Sequence, residues 1–184
     1  NAFELNDITA EARFENHEIH ITSLQASGVD GQGTLNATAD LDLSNIQKPD
    51  IDADLVIDAM HLIGQNYNTR LDADMQFVSG LGGYSLKGTI TPEEININLP
   101  ERFQKSIPEL NIVTETEELS AANKAKSMIS LDILLDAPQH IFVRGWGLDA
   151  ELGGKLDISG NLHEPLINGR LSSIRGRYEE FGQD

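Results

Sequence analysis

The segment His140-Ile-Phe-Val-Arg-Gly-Trp-Gly-Leu-Asp-Ala-Glu-Leu-Gly-Gly-Lys-Leu-Asp-Ile-Ser-Gly-Asn-Leu-His-Glu-Pro-Leu-Ile-Asn-Gly-Arg-Leu-Ser-Ser-Ile-Arg-Gly-Arg-Tyr-Glu-Glu-Phe-Gly182 is a series of short apolar–polar alternations broken by glycine. Ile141 and Val143 fall on one side of an extended chain. Leu148, Ala150 and Leu152 alternate with Asp149 and Glu151, and Leu156 and Ile158 with Asp157 and Ser159. Ile167, Gly169 and Leu171 alternate with Asn168, Arg170 and Ser172. A period of two puts apolar side chains on one face of a sheet and polar ones on the other. Gly145-Trp146-Gly147, Gly153-Gly154 and Gly160 mark bends, bulges or turns.

The same texture runs back toward the start of the chain. Ile8, Ala10, Ala12 and Phe14 alternate with Thr9, Glu11 and Arg13, and Asn16-His17 reads as a turn. Ile19 and Ile21 continue the row, and Leu24 shifts it. After a glycine-rich turn from Gly28 to Gly33, Leu35, Ala37, Ala39, Leu41 and Leu43 alternate with Asn36, Thr38, Asp40 and Asp42. Ile51, Ala53, Leu55, Ile57 and Ala59 form the next row, and Leu71, Ala73, Met75 and Phe77 another. A strand from Tyr84 is expected to end at Pro92, and Ile95, Ile97 and Leu99 to form a separate one. Met128 to Asp136, with Leu131 and Ile133 on the apolar side, resumes the pattern, and Pro138 precedes the quoted segment. Turns thus recur roughly every 10 to 15 residues, between strands of about 6 to 10. Nothing up to Leu99 carries a helical period. The fold class is all-β, a mostly antiparallel meander with one apolar face.

Pro100 to Ser127 interrupts the pattern. Ile107 to Val113 reads as a strand or an extended segment. Residues 114–127, with Glu115, Glu117, Glu118, Lys124 and Lys126, have little to bury and are expected to form a mobile loop within a single domain spanning 1–184.

Charge narrows the function. The chain holds 30 acidic and 13 basic residues, a net charge of −17. Residues 1–139 carry 23 acids against 8 bases, and residues 140–184 carry 7 against 5. A nucleic-acid partner needs a basic face, so that class is set aside. Direct docking on anionic headgroups is disfavoured for the same reason. There is no cysteine, hence no disulfide and no thiolate chemistry. No apolar run reaches the ~18 residues of a membrane span. The chain begins without Met and is expected to be a segment of a longer protein.

No catalytic constellation emerges. His17 and His20 would face opposite sides of a strand, and His61, His140 and His163 are scattered. Asp50, Asp52 and Asp54 fail the EF-hand pattern, whose sixth and twelfth positions are here Leu55 and His61. They read as the outer face of a strand, with Asp40, Asp42, Asp58, Asp72 and Asp74. Like charges on neighbouring strands oppose pairing, so that face belongs in water. The Gly28-x-x-Gly31-x-Gly33 run is followed by no helix, and no Gly-x-Ser-x-Gly elbow occurs. The expectation is a non-enzyme with no metal site and no cofactor. Trp146, between two glycines, caps an apolar groove or fills a bulge; filling is the simpler reading.

The apolar rows admit two architectures: a sheet folded on itself as a closed sandwich, or a curved sheet whose hollow stays open to an apolar ligand. Here a resemblance adds information. Phe142-Val-Arg-Gly-x-Gly-Leu-Asp-Ala-Glu-Leu-Gly-Gly154, then Gly160-x-Leu-x-x-Pro-x-Ile-x-Gly-Arg-Leu171, then Arg175-Gly-x-Tyr178, resembles the C-terminal domain of TamB-like proteins. A weaker likeness covers Glu94-Ile-Asn-Ile-Asn-Leu-Pro-Glu-Arg-Phe103. Trp146 departs from the family, which often has a polar residue there. The resemblance implies an elongated U-shaped sheet, the β-taco, with the apolar rows above lining its trough. It further implies a periplasmic segment of a parent protein anchored in the inner membrane. That parent would carry phospholipid acyl chains toward the outer membrane. A second implied role is assembly of outer-membrane proteins with a TamA-like barrel partner, the trough or its edge strands holding an unfolded β-strand. A third is a plain spacer. Edge strands without partners are also expected to associate between copies.

Overall fold

The computed structural model describes residues 5–28, 31–80, 82–100 and 129–179. The segments expected as a strand at 107–113 and a mobile loop at 114–127 lie outside them. Among the described residues nine strands form one sheet, in chain order: β1 (Leu5–Glu15), β2 (Glu18–Gly28), β3 (Thr34–Asp42), β4 (Asp50–Ile63), β5 (Tyr67–Gly80), β6 (Gly83–Asn98), β7 (Ile129–Gly145), β8 (Leu148–Asn161) and β9 (Pro165–Tyr178). β1 and β9 do not pair with each other, so the sheet is an open, curved trough and neither a barrel nor a two-sheet sandwich. Neighbours are antiparallel except β6 and β7, which run the same way, Tyr84 opposite Ile129 and Asn98 opposite Arg144. A parallel pair cannot be joined by a hairpin. The residues between Asn98 and Ile129 provide the longer connection.

Register turns the separate rows into one surface. Leu35, Ile57, Ala73, Ile90, Leu135, Leu156 and Gly169 are successive cross-strand partners from β3 to β9. Ala37, Leu55, Met75, Gly88, Ile133, Ile158 and Ile167 form a second such ladder. Facing positions in a ladder share one side of the sheet.

The strands are 9 to 17 residues long, more than the sequence spacing implies, because bulges carry them through apparent breaks. In β4, Ile57 faces Ala73 but Met60 faces Leu71, so three steps of β4 span two of β5. Ala59 sits in this bulge at φ 49° and its N–H donates to Asp72 Oδ1 at 2.7 Å. The extra residue reverses the alternation. Met60 therefore continues the apolar row, with 1% of its surface exposed, where Ala59 was expected. Pro92 does not end β6. It faces Leu71 beside the extra residue Glu93, and the row resumes at Ile95. A proline at a bulge forfeits no ladder hydrogen bond. Pro138 likewise lies inside β7, where Ala137 faces Gly154 and Ile141 faces Leu152. A Cβ on the opposing Gly153 would run into the Pro138 carbonyl oxygen, which is why glycine stands there. In β9 the extra residue is Ile174. These irregularities lie side by side from β4 to β9. Each bends its strand, and together they make a crease across the sheet.

Glu151 fastens the C-terminal end of this crease. It is 6% exposed, the one buried charged side chain among the described residues. The N–H of His140, at φ 66° in the β7 bulge, donates to its Oε1 at 3.3 Å. Arg175 Nε of β9 donates to its Oε2 at 2.6 Å. Burial pushes the Glu151 carboxyl up, but the Arg175 hydrogen bond, the His140 N–H and the nearby positive charges hold it below the usual glutamate range.

Three expectations follow. Met60→Ala should lower unfolding stability by about 2 to 5 kcal/mol in urea titration, whereas exposed Ile63→Ala should change it by less than about 0.5 kcal/mol. Because the Glu151 pKa is depressed in the folded state, its stabilising contribution is complete above the ordinary glutamate pKa. It is lost as pH falls through the lower folded value. The protection factors of β9 amides, exchange rates taken relative to the intrinsic rate at each pH, should fall over that acidic range in the unsubstituted chain and show no such step in Glu151→Gln. Finally, among the described residues β1 and β9 each pair on one side only, and they are exposed along most of their length. Sedimentation should show concentration-dependent association; a strict monomer at high concentration would refute edge pairing.

Candidate functional site: the apolar trough

The inward rows divide at the crease into two walls. On the taller wall, β3 contributes Leu35 to Leu41, β4 Ile51 to Ile57 and β5 Ala73 to Phe77. The same wall continues through β7 with Leu131 and Ile133 and through β8 with Leu156 and Ile158. On the shorter wall, Ile95 and Ile97 of β6 face Ile141 and Val143 of β7, which face Leu152 and Ala150 of β8. Leu148 completes β8 toward the rim, opposite Tyr178. Leu43 lies just past β3, its N–H bonded to the His17 carbonyl at 2.8 Å, and Leu99 just past β6, bonded to the Arg144 carbonyl at 2.7 Å. Both are half-buried.

Burial along these rows is incomplete. Leu35, Ala73, Met75, Leu131, Ile133, Ile141 and Ala150 are buried, but Ala37, Ala39, Leu41, Ile51, Ala53, Leu55, Ile57, Leu71 and Phe77 are only half-buried. Ile167 and Leu171 share the inward face yet stay exposed on edge strand β9. A closed sheet-on-sheet core would bury both inner faces. Here water still reaches most of the lining.

A cavity of about 220 Å³ lies in the taller wall, lined by Ile21, Leu24, Ala37, Ala39, Ala53, Leu55, Met75, Phe77 and Leu86 with the backbone neighbourhood of Thr38 and Asp54. It forms where three alanines leave room beside Met75 and Phe77. Phe77 is fixed by stacking on Tyr84, with centroids 5.4 Å apart, and the Tyr84 hydroxyl donates to the Pro49 carbonyl at 3.1 Å. Small-molecule pockets usually measure ~300–1,000 Å³. This hollow suits a length of hydrocarbon better than a whole molecule.

The opposite face has different chemistry. Asp40 faces Asp52, and Asp42 faces Asp50, across the β3–β4 ladder. His20 offsets part of this repulsion, with Nδ1 at 2.6 Å from Asp40 Oδ1 and Nε2 at 3.3 Å from Glu18 Oε2. The Asp40 hydrogen bond, ahead of the surrounding negative charge, raises the His20 pKa. Two depressions on this face, of about 400 and 690 Å³, exceed the apolar cavity in size. Asp40, Asp42, Asp50 and Asp52 line one, and Asp58, Asp72 and Asp74 the other. Both depressions also have apolar lining, Leu41, Ile51 and Val78 in one and Val56, Ile57 and Ala73 in the other, but each sets several carboxylates beside it, whereas the lining of the cavity in the taller wall is almost wholly apolar; chemistry rather than volume selects the trough. Among the described residues no three His, Asp or Glu side chains converge as metal ligands.

Several lining residues escaped the sequence reading. Leu24, Ala26 and Met60 lie beyond bulges that invert the alternation. Leu86 and Ile90 do alternate with Lys87 and Thr89, and Leu135 and Ala137 simply extend the row of Leu131 and Ile133; period two was a signal present in the sequence that would have located them.

No curated protein and no solved structure matches this chain. Among the described residues no helix is long and apolar enough to cross a membrane. The family model for the TamB C-terminal domain matches residues 22–184, from the middle of β2 onward. With that span matched, the chain belongs to the TamB C-terminal domain family, whose role lies in outer-membrane assembly and transport in the cell envelope.

Proposed function

We propose that the chain is a periplasmic segment of a bridge-like lipid transfer protein, anchored through its parent in the inner membrane, that carries phospholipid acyl chains toward the outer membrane. It does so without enzymatic chemistry, metal or cofactor. The observation that supports this reading is the predominantly apolar face, continuous in register from β3 to β9 and left half-open. Apolar surface exposed on this scale marks a binding surface. Its dimensions suit the cargo. Eight spacings of about 4.8 Å give a trough roughly 38 Å long, against about 15 Å for one leaflet of hydrocarbon. Alanines at 37, 53 and 73 widen the path without forming a tight pocket. Shallow sites repeated at each strand favour sliding over capture.

A second reading rests on a different observation. Among the described residues β9 is an edge strand, with exposed Leu166, Ile167, Ile174 and Tyr178. Such an edge could hold a β-strand of an outer-membrane protein by augmentation, working with a TamA-like barrel partner. Mass spectrometry of extracts from the purified chain separates the two. Bound phospholipid supports the conduit; a clean extract with capture of strand peptides supports the holder.

Leu55→Arg tests the conduit further. Leu55 is half-buried and lines the cavity. In an open trough the long side chain reaches water, so the fold should survive while its charge obstructs hydrocarbon. Thermal unfolding should shift little, and lipid transfer by the parent protein should fall sharply. Asp54→Arg, on the carboxylate face, should leave both unchanged. A folded Leu55→Arg variant that transfers lipid at the normal rate would eliminate the conduit.

A further inference from the structure

The two rims of the trough differ. One is formed by the turns after β1, β3, β5 and β8, the other by the turns after β4 and β7, the end of β6 and the end of β9. At the first rim Glu15, Glu18, Asp42 and Asp50 cluster near the ends of β1 to β4. At the second, Asp149 is paired with Arg144 at 3.4 Å and Glu179 with Arg177 at 3.3 Å, so negative charge is offset locally.

The second rim also changes in side-chain type. Tyr67 faces Ile97 and Tyr178 faces Leu148, both on the inward side, and they are 44% and 67% exposed. Trp146 joins them at the β7–β8 turn, 43% exposed, at φ 52°, its indole N–H donating to the Pro100 carbonyl at 2.8 Å. Below them β5 passes through Thr69 to Leu71 at the crease, and the strands between carry aliphatic side chains, Ile95 and Ile97 on β6, Ile141 and Val143 on β7 and Ala150 and Leu152 on β8. From Leu71 to Tyr67 the wall rises four residues, about 13 Å at ~3.3 Å each. The hydrocarbon of one leaflet is about 15 Å deep. A chain with its methyl end at the crease would thus bring its ester to these rings. Tyrosine and tryptophan suit that level, because each has an apolar body and a polar tip.

We propose that Tyr67, Trp146 and Tyr178 form an interfacial rail that holds the glycerol–ester region of a phospholipid, so that its phosphate leaves the trough at this rim and not at the acidic one. The inference rests on the lipid reading above. The Tyr67 and Tyr178 hydroxyls donate to ester or phosphate oxygens. The Trp146 ring packs on the first methylenes, its N–H being already engaged.

The chain has a single tryptophan, so its emission reports one location. The purified chain is loaded with phospholipid brominated on the acyl chain either next to the ester or next to the methyl end. The rail predicts greater loss of Trp146 emission with the ester-side bromine. A second tryptophan, Leu156→Trp in a Trp146→Phe background, lies beside the crease and should show the reverse order. Equal quenching of Trp146 by both lipids, or stronger quenching by the methyl-side label, overturns the rail while leaving the conduit standing. Absence of quenching at both positions overturns the conduit and the rail together. The Trp146 comparison needs no substitution and stands even where the second variant fails to fold.

Discussion

The constraint on which everything else depends is parity. In a strand each residue inserted turns every later side chain to the other face. Nine strands must nevertheless present one apolar surface on both sides of a bend. The chain meets this with bulges at matched heights in β4, β6, β7 and β9. Where one residue is inserted, the sequence pattern changes phase with it, as from Ile57 to Met60 and from Ile90 to Ile95. In β7 two extra residues are inserted and the phase is kept, from Ala137 to Ile141. The backbone groups freed by these insertions find side-chain partners. Asp72 receives the Ala59 N–H and Glu151 receives the His140 N–H. A bend with unsatisfied buried amides would cost far more than the curvature is worth.

The acidic face follows from the same geometry. An open sheet with a half-exposed apolar face invites stacking and edge pairing. Carboxylates opposed across β3 and β4 destabilise that ladder locally. They also make close approach of a second acidic face unfavourable. The effect is strongest over β1 to β5, where acids dominate, and fades over β8 and β9, where Arg170, Arg175 and Arg177 stand on the last strand without an acid among them. The hydrophobic term and the charge term thus act on opposite faces of one sheet and do not compete for the same positions.

Period-two alternation made the fold class and most lining positions legible, since it is a local property of consecutive residues. The crease was not legible as such. Pro92 and Pro138 read as strand ends because proline lacks the ladder donor, yet each sits at a bulge where no donor is required. The parallel β6–β7 pair was invisible because strand direction depends on a long connection, not on side-chain pattern. Trp146 read as turn filler, since nothing local shows that Tyr67 and Tyr178 stand on the same rim. That placement exists only once four registers are joined.

The trough also explains why no compact site appears among the described residues. A pocket that encloses a ligand creates one deep minimum. A groove whose lining repeats with each strand offers similar minima about 4.8 Å apart. Moving hydrocarbon by one spacing exchanges contact with one aliphatic side chain for contact with the next. The net change in buried apolar area is small, and at roughly 25 cal/mol per Å² so is the barrier it contributes. Larger steps arise where side-chain size changes abruptly, as from Ala53 to Phe77 across β4 and β5. The cavity lies at that step, so the widest part of the wall adjoins its bulkiest residue. A site of this kind is defined by the continuity of a surface, and its chemistry resides in register more than in any single residue.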